Sequence, residues 1–160
     1  MVILQLIALL SLATITFQDL KERMVSWLLF PITGGLLIAL HIQNSTWEDF
    51  LIFGLGNVIL TSSILFLLWI YTKLLRKQEF LNVSFGLGDV LFLYVLALGF
   101  PTVTFIVLLA LSLCFSVLAF IVLNYFVSTI TVPLAGFMSI FLNVILIMDL
   151  SIEQISLYQL

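Results

Sequence analysis

The fold turns on "LGFPT", residues 98–102, which interrupts an apolar run from residue 88 to residue 125. As one helix, that run would be about 57 Å long. The hydrocarbon core of a bilayer is only about 30 Å thick. Gly99 and Pro101 are strong helix punctuators, and the residue before a proline is pushed out of the helical region. The run therefore divides into two segments, 88–100 and 102–125. The first is short and is expected to begin before Gly88.

Working outward, four more apolar segments appear, at residues 1–17, 24–40, 50–71 and 132–148. A span needs roughly 20 apolar residues, or about 17 at the short end. The 160-residue chain is 64% hydrophobic and 8% charged, with a mean hydropathy of +1.36. A soluble domain carries about a quarter charged residues. A chain this apolar cannot cover itself in water, so its solvent is lipid. The expected fold is all-α, a polytopic membrane protein with a bundle of about six transmembrane helices, forming one domain over residues 1–160. The alternating polarity of a membrane barrel is absent. So is the basic stripe that nucleic acid would require. "MVILQLIALLSLATITF" has no basic region ahead of its apolar core and reads as a retained first span rather than a signal peptide.

All five basic residues fall in two places. Lys21 and Arg23 separate the first and second segments, and Lys73, Arg76 and Lys77 separate the third and fourth. With six spans both loops lie on one side, which the positive-inside rule makes the cytoplasm. Both termini are then outside. The stretch "TKLLRKQEFLNVS", residues 72–84, is amphipathic and is expected to lie along the cytoplasmic interface.

Of the eight acidic residues, Glu48, Asp49, Asp149 and Glu153 fall in outside segments, where solvation accounts for them. Glu22 and Glu79 neighbour basic residues, where loose surface pairing suffices. Asp19, in "FQDLKER", and Asp89, in "GLGDV", stand at the cytoplasmic edge of different spans. An ionisable group there is costly and marks a functional site by default. Taken singly, each has a structural account: Asp19 as a helix end paired with Arg23 four residues on, Asp89 as a negative charge at a helix N-terminus. Taken together, they are two carboxylates at one depth that converge if their helices pack. Carboxylates in one site do not both ionise readily, so such a pair shares a proton. One then deprotonates a water while the other donates to a scissile carbonyl oxygen. Gly86 and Gly88 allow close main-chain approach beside Asp89, leaving room for a substrate backbone.

"GLGD", residues 86–89, matches the G-x-G-D motif of intramembrane aspartic peptidases. Together with the Asp19-x-x-x-Arg23 pattern after the first span, it resembles the type IV prepilin peptidase family. "VPLAGFMSI", residues 132–140, resembles a proline-containing stretch near the start of that family's last span. The likeness runs over roughly residues 10–140. It implies a membrane aspartic endopeptidase with catalytic Asp19 and Asp89, supported by Gly86, Gly88 and Arg23. The implied substrate is a prepilin or pseudopilin precursor with a short basic leader, cleaved at the cytoplasmic face of the cell membrane. The peptidase activity implied needs no cofactor and no metal. Many members also methylate the new N-terminus with S-adenosylmethionine and carry an N-terminal domain with paired cysteines. Those cysteines are absent here, so S-adenosylmethionine is implied only where methylation is retained. "MVSWL" stands where the family often has Ile-Pro-Asn, and Leu91 where it often has Lys.

Other chemistries fit less well. There is no H-E-x-x-H for zinc and no G-x-S-x-G. His41, the single histidine, is expected in an outside loop, and Cys114 is expected to be a small helix-packing residue. The alternative function is a small ion- or proton-coupled transporter using the carboxylates. Against it, the spans are nearly all aliphatic and phenylalanine, with Asn57, Asn124 and Asn143 expected to hydrogen-bond between helices.

Overall fold

A computed structural model describes residues 2–76, 86–126, 132–151 and 157–158. Among them are six α-helices and no strand: α1 (Val2–Glu22), α2 (Leu29–Asn44), α3 (Trp47–Tyr71), α4 (Leu87–Gly99), α5 (Thr102–Phe126) and α6 (Leu134–Ser151). The chain is an all-α polytopic membrane protein. α1, α3, α5 and α6 are long and apolar enough to cross a bilayer. α2 and α4 are shorter, with 16 and 13 residues. At 1.5 Å per residue they reach only about 24 and 20 Å.

The break at residue 100 has the expected cause. Phe100 is extended, with φ −142° and ψ 154°, as the residue before a proline prefers. Pro101 has no N–H to lose at a helix start, and its carbonyl accepts from the Phe105 N–H at 2.8 Å. The carbonyls left open at the end of α4 are met from α3. The buried Asn57 amide donates to Ala97 O and Phe100 O, both at 2.9 Å. Gly99 lets α2 approach closely, since a Cβ there would lie 3.0 Å from Leu37 Cβ.

α1 packs on α2 and α6, α2 and α3 pack on α4, and α5 packs on α6. The buried core runs between them, from Leu12 and Ile15 through Leu37, Phe92 and Leu96 to Met138 and Leu142. The apolar side chains left exposed on α1, α3 and α5 are those that lipid would cover. Cross-helix contacts fix the directions. Thr16 meets Ser139, and Gln5 meets Asp149, so α1 and α6 are antiparallel. Asn57 meets Ala97, and Ser62 meets Tyr94, so α3 and α4 are antiparallel as well. The end of α1 and the starts of α4 and α6 thus share one end of the bundle. Lys21, Arg23 and Lys73 lie at that end.

Several expectations change. α1 runs on to Glu22, beyond the apolar segment 1–17, and Asp19 lies in its last turn, at the helix end as expected. Arg23 has left the helix, with φ 57°, so its relation to Asp19 is not the helical i, i+4 pairing. His41 is not a loop residue. It is fully buried in the last turn of α2, its Nδ1 3.3 Å from Leu98 O and its ring edge-on to Phe50. Asp149 is not simply solvated: it accepts from Gln5 Nε2 at 2.9 Å and bonds the Leu157 main chain. Cys114 is exposed on α5 instead of packing between helices. Of the expected interfacial stretch, Thr72–Arg76 forms a π-helical turn. Residues 77–85, which include Lys77 and Glu79, lie outside the described residues, as does Glu153.

Candidate active site

Three chain segments build the site, each reaching one end of the bundle for a separate local reason. α1 carries Asp19 one turn above Ile15, which is buried. α4 starts at Gly86, its extended N-cap, and Asp89 follows in the first turn. α6 starts after Pro133, which ends the preceding segment and supplies the carbonyl for the Phe137 N–H at 3.1 Å.

The first N–H groups of a helix have no partner within it. An N-cap serine, threonine or aspartate usually accepts from one of them. Pro133 has no side-chain oxygen, and the acceptors come from elsewhere in the chain. The Ala135 N–H donates to Asp89 Oδ1 at 2.8 Å. The Gly136 N–H donates to Asp19 Oδ2 at 2.5 Å. Neighbouring main-chain nitrogens in a helix are about 3 Å apart, so the two accepting oxygens lie within roughly 8 Å of each other. Both carboxylates are half-buried, and the charge of Asp19 acts on Asp89. The expected pair, seventy residues apart in sequence, is one site in space.

The glycines serve this geometry, though differently from the expectation. A Cβ at Gly86 would lie 2.9 Å from Asp89 Oδ2, so that space is filled by the carboxylate itself, which also bonds the Gly86 main chain. A Cβ at Gly88 would meet the Phe30 ring at 3.4 Å. Neither opens a berth for a substrate backbone. The Arg23 charge acts on Asp19, and the left-handed Arg23 ends α1 where glycine usually would.

Three contributors were given no role in the sequence reading, although Gly136 and Ser139 lie in the quoted "VPLAGFMSI" stretch. Gly136 must be small, since a Cβ there would lie 2.9 Å from Asp19 Oδ2 and 3.1 Å from Asp19 Cβ. One turn further in, Thr16 Oγ1 and Ser139 Oγ are 2.7 Å apart, and Ser139 also donates to Gly136 O. This contact ties α1 to α6 directly beneath Asp19. The available signal was the "PLAG" run at residues 133–136, a proline and two small residues opening a span.

Chemically, the site presents two carboxylates, each with one oxygen steadied by a main-chain amide at a helix N-terminus. Such a pair can pass a proton between its members and to a bound water. Among the described residues no group of three or more His, Cys, Asp or Glu side chains could hold a metal ion. Comparison with protein-family models, curated proteins and solved structures finds no match for this chain.

Proposed function

We propose that this protein is a membrane aspartic endopeptidase that removes the short basic leader of a type IV prepilin or pseudopilin precursor. The observation that carries the reading is the convergence of Asp19 and Asp89 on consecutive amides of α6. Like charges brought together at a membrane edge are costly. Packing alone would be served by neutral side-chain oxygens on these amides.

In this reading one aspartate is ionised and takes a proton from water as the oxygen attacks the scissile carbonyl carbon. The other, protonated, gives its proton to the carbonyl oxygen. Collapse of the resulting diol breaks the C–N bond, and the leaving amine takes up a proton. The amides of Ala135 and Gly136 hold the carboxylates in position throughout. The basic residues at this end support a cytoplasmic site in the plasma membrane, where a leader ahead of an apolar helix would present its junction. The reading requires no cofactor. S-adenosylmethionine would enter only with a retained methylation step.

The transporter alternative would draw on polar groups buried within the bundle. One of these, Asn57, has its amide engaged in closing the end of α4, which favours a packing role. The test is co-expression with a prepilin. Asp19→Asn and Asp89→Asn should each abolish leader cleavage at unchanged protein level. Continued cleavage in either variant would sink the reading, and solute flux in proteoliposomes without processing would move it to transport.

A further inference from the structure

A groove of about 640 Å³ runs between α1 and α6 on the outer face of the bundle. We infer that it binds one anionic phospholipid, with an acyl chain along the groove and the headgroup on Lys21. The inference is independent of the chemistry proposed for the carboxylates.

The walls are Ala13, Phe17 and Leu20 of α1 with Ile140 and Val144 of α6. Lys21 is the one charged residue of the lining, and it stands at the end of the bundle where the other described basic residues lie. Its Nζ sits 5.0 Å from the centre of the Phe17 ring, which holds the ammonium beside the groove wall. Lys21 is exposed and makes no ion pair among the described residues. An apolar slot open to lipid with a lone cation at its mouth complements a lipid whose tail is apolar and whose head is negative. A lysine or arginine near an anionic lipid surface contributes about 1 kcal/mol.

From Ala13 to Lys21 the groove follows α1 for about 12 Å. Two polar residues also line it. Thr16 is engaged by Leu12 O and Ser139. Asn143 makes no hydrogen bond to another described residue, and it is the group that a polar helix would seek.

The test is native mass spectrometry of the full chain in detergent, with phosphatidylglycerol, phosphatidylcholine or glycerol phosphate added. The wild type should retain phosphatidylglycerol about fivefold better than phosphatidylcholine. Lys21→Gln, an exposed change, should bring the two lipids to parity. Val144→Trp, which fills the groove, should lower retention of both. Asn143→Leu should leave the preference intact. Equal retention by the wild type, or an unchanged preference in Lys21→Gln, would overturn the site. Glycerol phosphate held as tightly as the lipid would remove the acyl chain from the account.

Discussion

At one end of the bundle Asp19 and Asp89 converge on the first turn of α6. At the other, Asp149, His41 and Tyr158 gather where the C-terminal residues return to the helices. Both ends put ionisable side chains beside α1 and α6, and they settle them differently. Asp149 is matched by a neutral donor, Gln5. Leu157 and Tyr158 are buried over that end. Leu157 O accepts from Thr104 Oγ1 at 2.8 Å, and Tyr158 stacks on Phe100 with ring centres 5.7 Å apart. Each group there has a packing role. At the carboxylate end, two like charges lie on adjacent amides, where neutral side-chain oxygens would serve as caps without the repulsion. A costly side chain in a membrane protein is therefore weak evidence of function by itself. A mutually repelling pair is stronger evidence.

The comparison can be broken most directly at Gly136. A Cβ there would collide with Asp19, so Gly136→Ala should displace one carboxylate and lower leader cleavage about a hundredfold, the scale set by a 1 Å misplacement. Circular dichroism should show helix content unchanged. Wild-type activity in this variant would show that the α6 amides do not position the pair.

The opposite end should respond in stability and not in cleavage chemistry. Asn57→Leu leaves two carbonyls at the end of α4 without their donor and should cost about 1–2 kcal/mol in a detergent melt. A smaller effect of opposite sign is expected from Tyr158→Phe. The buried hydroxyl has no hydrogen-bond partner among the described residues, so its removal should stabilise by about 1 kcal/mol. The same variant carries a pH signature. Burial, and then the Asp149 charge, push the Tyr158 phenol above its ordinary value. The folded state thus holds this proton more tightly than the unfolded state does. The stability from the docked tyrosine should be full below pH about 10 and should decline as pH rises further. That alkaline decline should vanish in Tyr158→Phe, and its persistence there would trace it to another group.

The smallest effect should come from Gly35→Ala. A Cβ at residue 35 meets nothing within 4 Å, so the change should stabilise by roughly half a kcal/mol as a mid-helix glycine is removed. Gly35 and Gly136 are both helical glycines. The contrast between a lost activity at one and a small gain in stability at the other is a direct reading of what lies beside each.

Much of this was legible in the chain itself. Six apolar segments with a break at Pro101, two basic loops at one end and two carboxylates at matching depth all follow from local composition and span length. Periodicity and helix-breaking chemistry act within a few residues, so a sequence carries them openly. His41, Asp149 and Cys114 were misread because their surroundings are made by distant segments. The composition around His41 describes a loop; Phe50 and Tyr158, brought in by the bundle, bury it. The glycines were read correctly as places needing space, but only packing decided what fills it: the Asp89 carboxylate beside Gly86 and Phe30 beside Gly88.

The sequence alone determined that this protein lives in lipid as a helical bundle, because a chain of 160 residues with so few charges has no other solvent. It also set the depth of Asp19 and Asp89, because depth follows from distance along a span. Only the tertiary structure decided that the two meet, and on what. Which faces of α1, α4 and α6 turn toward one another depends on side-chain packing across three helices. The meeting point is a pair of main-chain amides left open because Pro133 cannot cap them, and no side-chain pattern announces a main-chain donor.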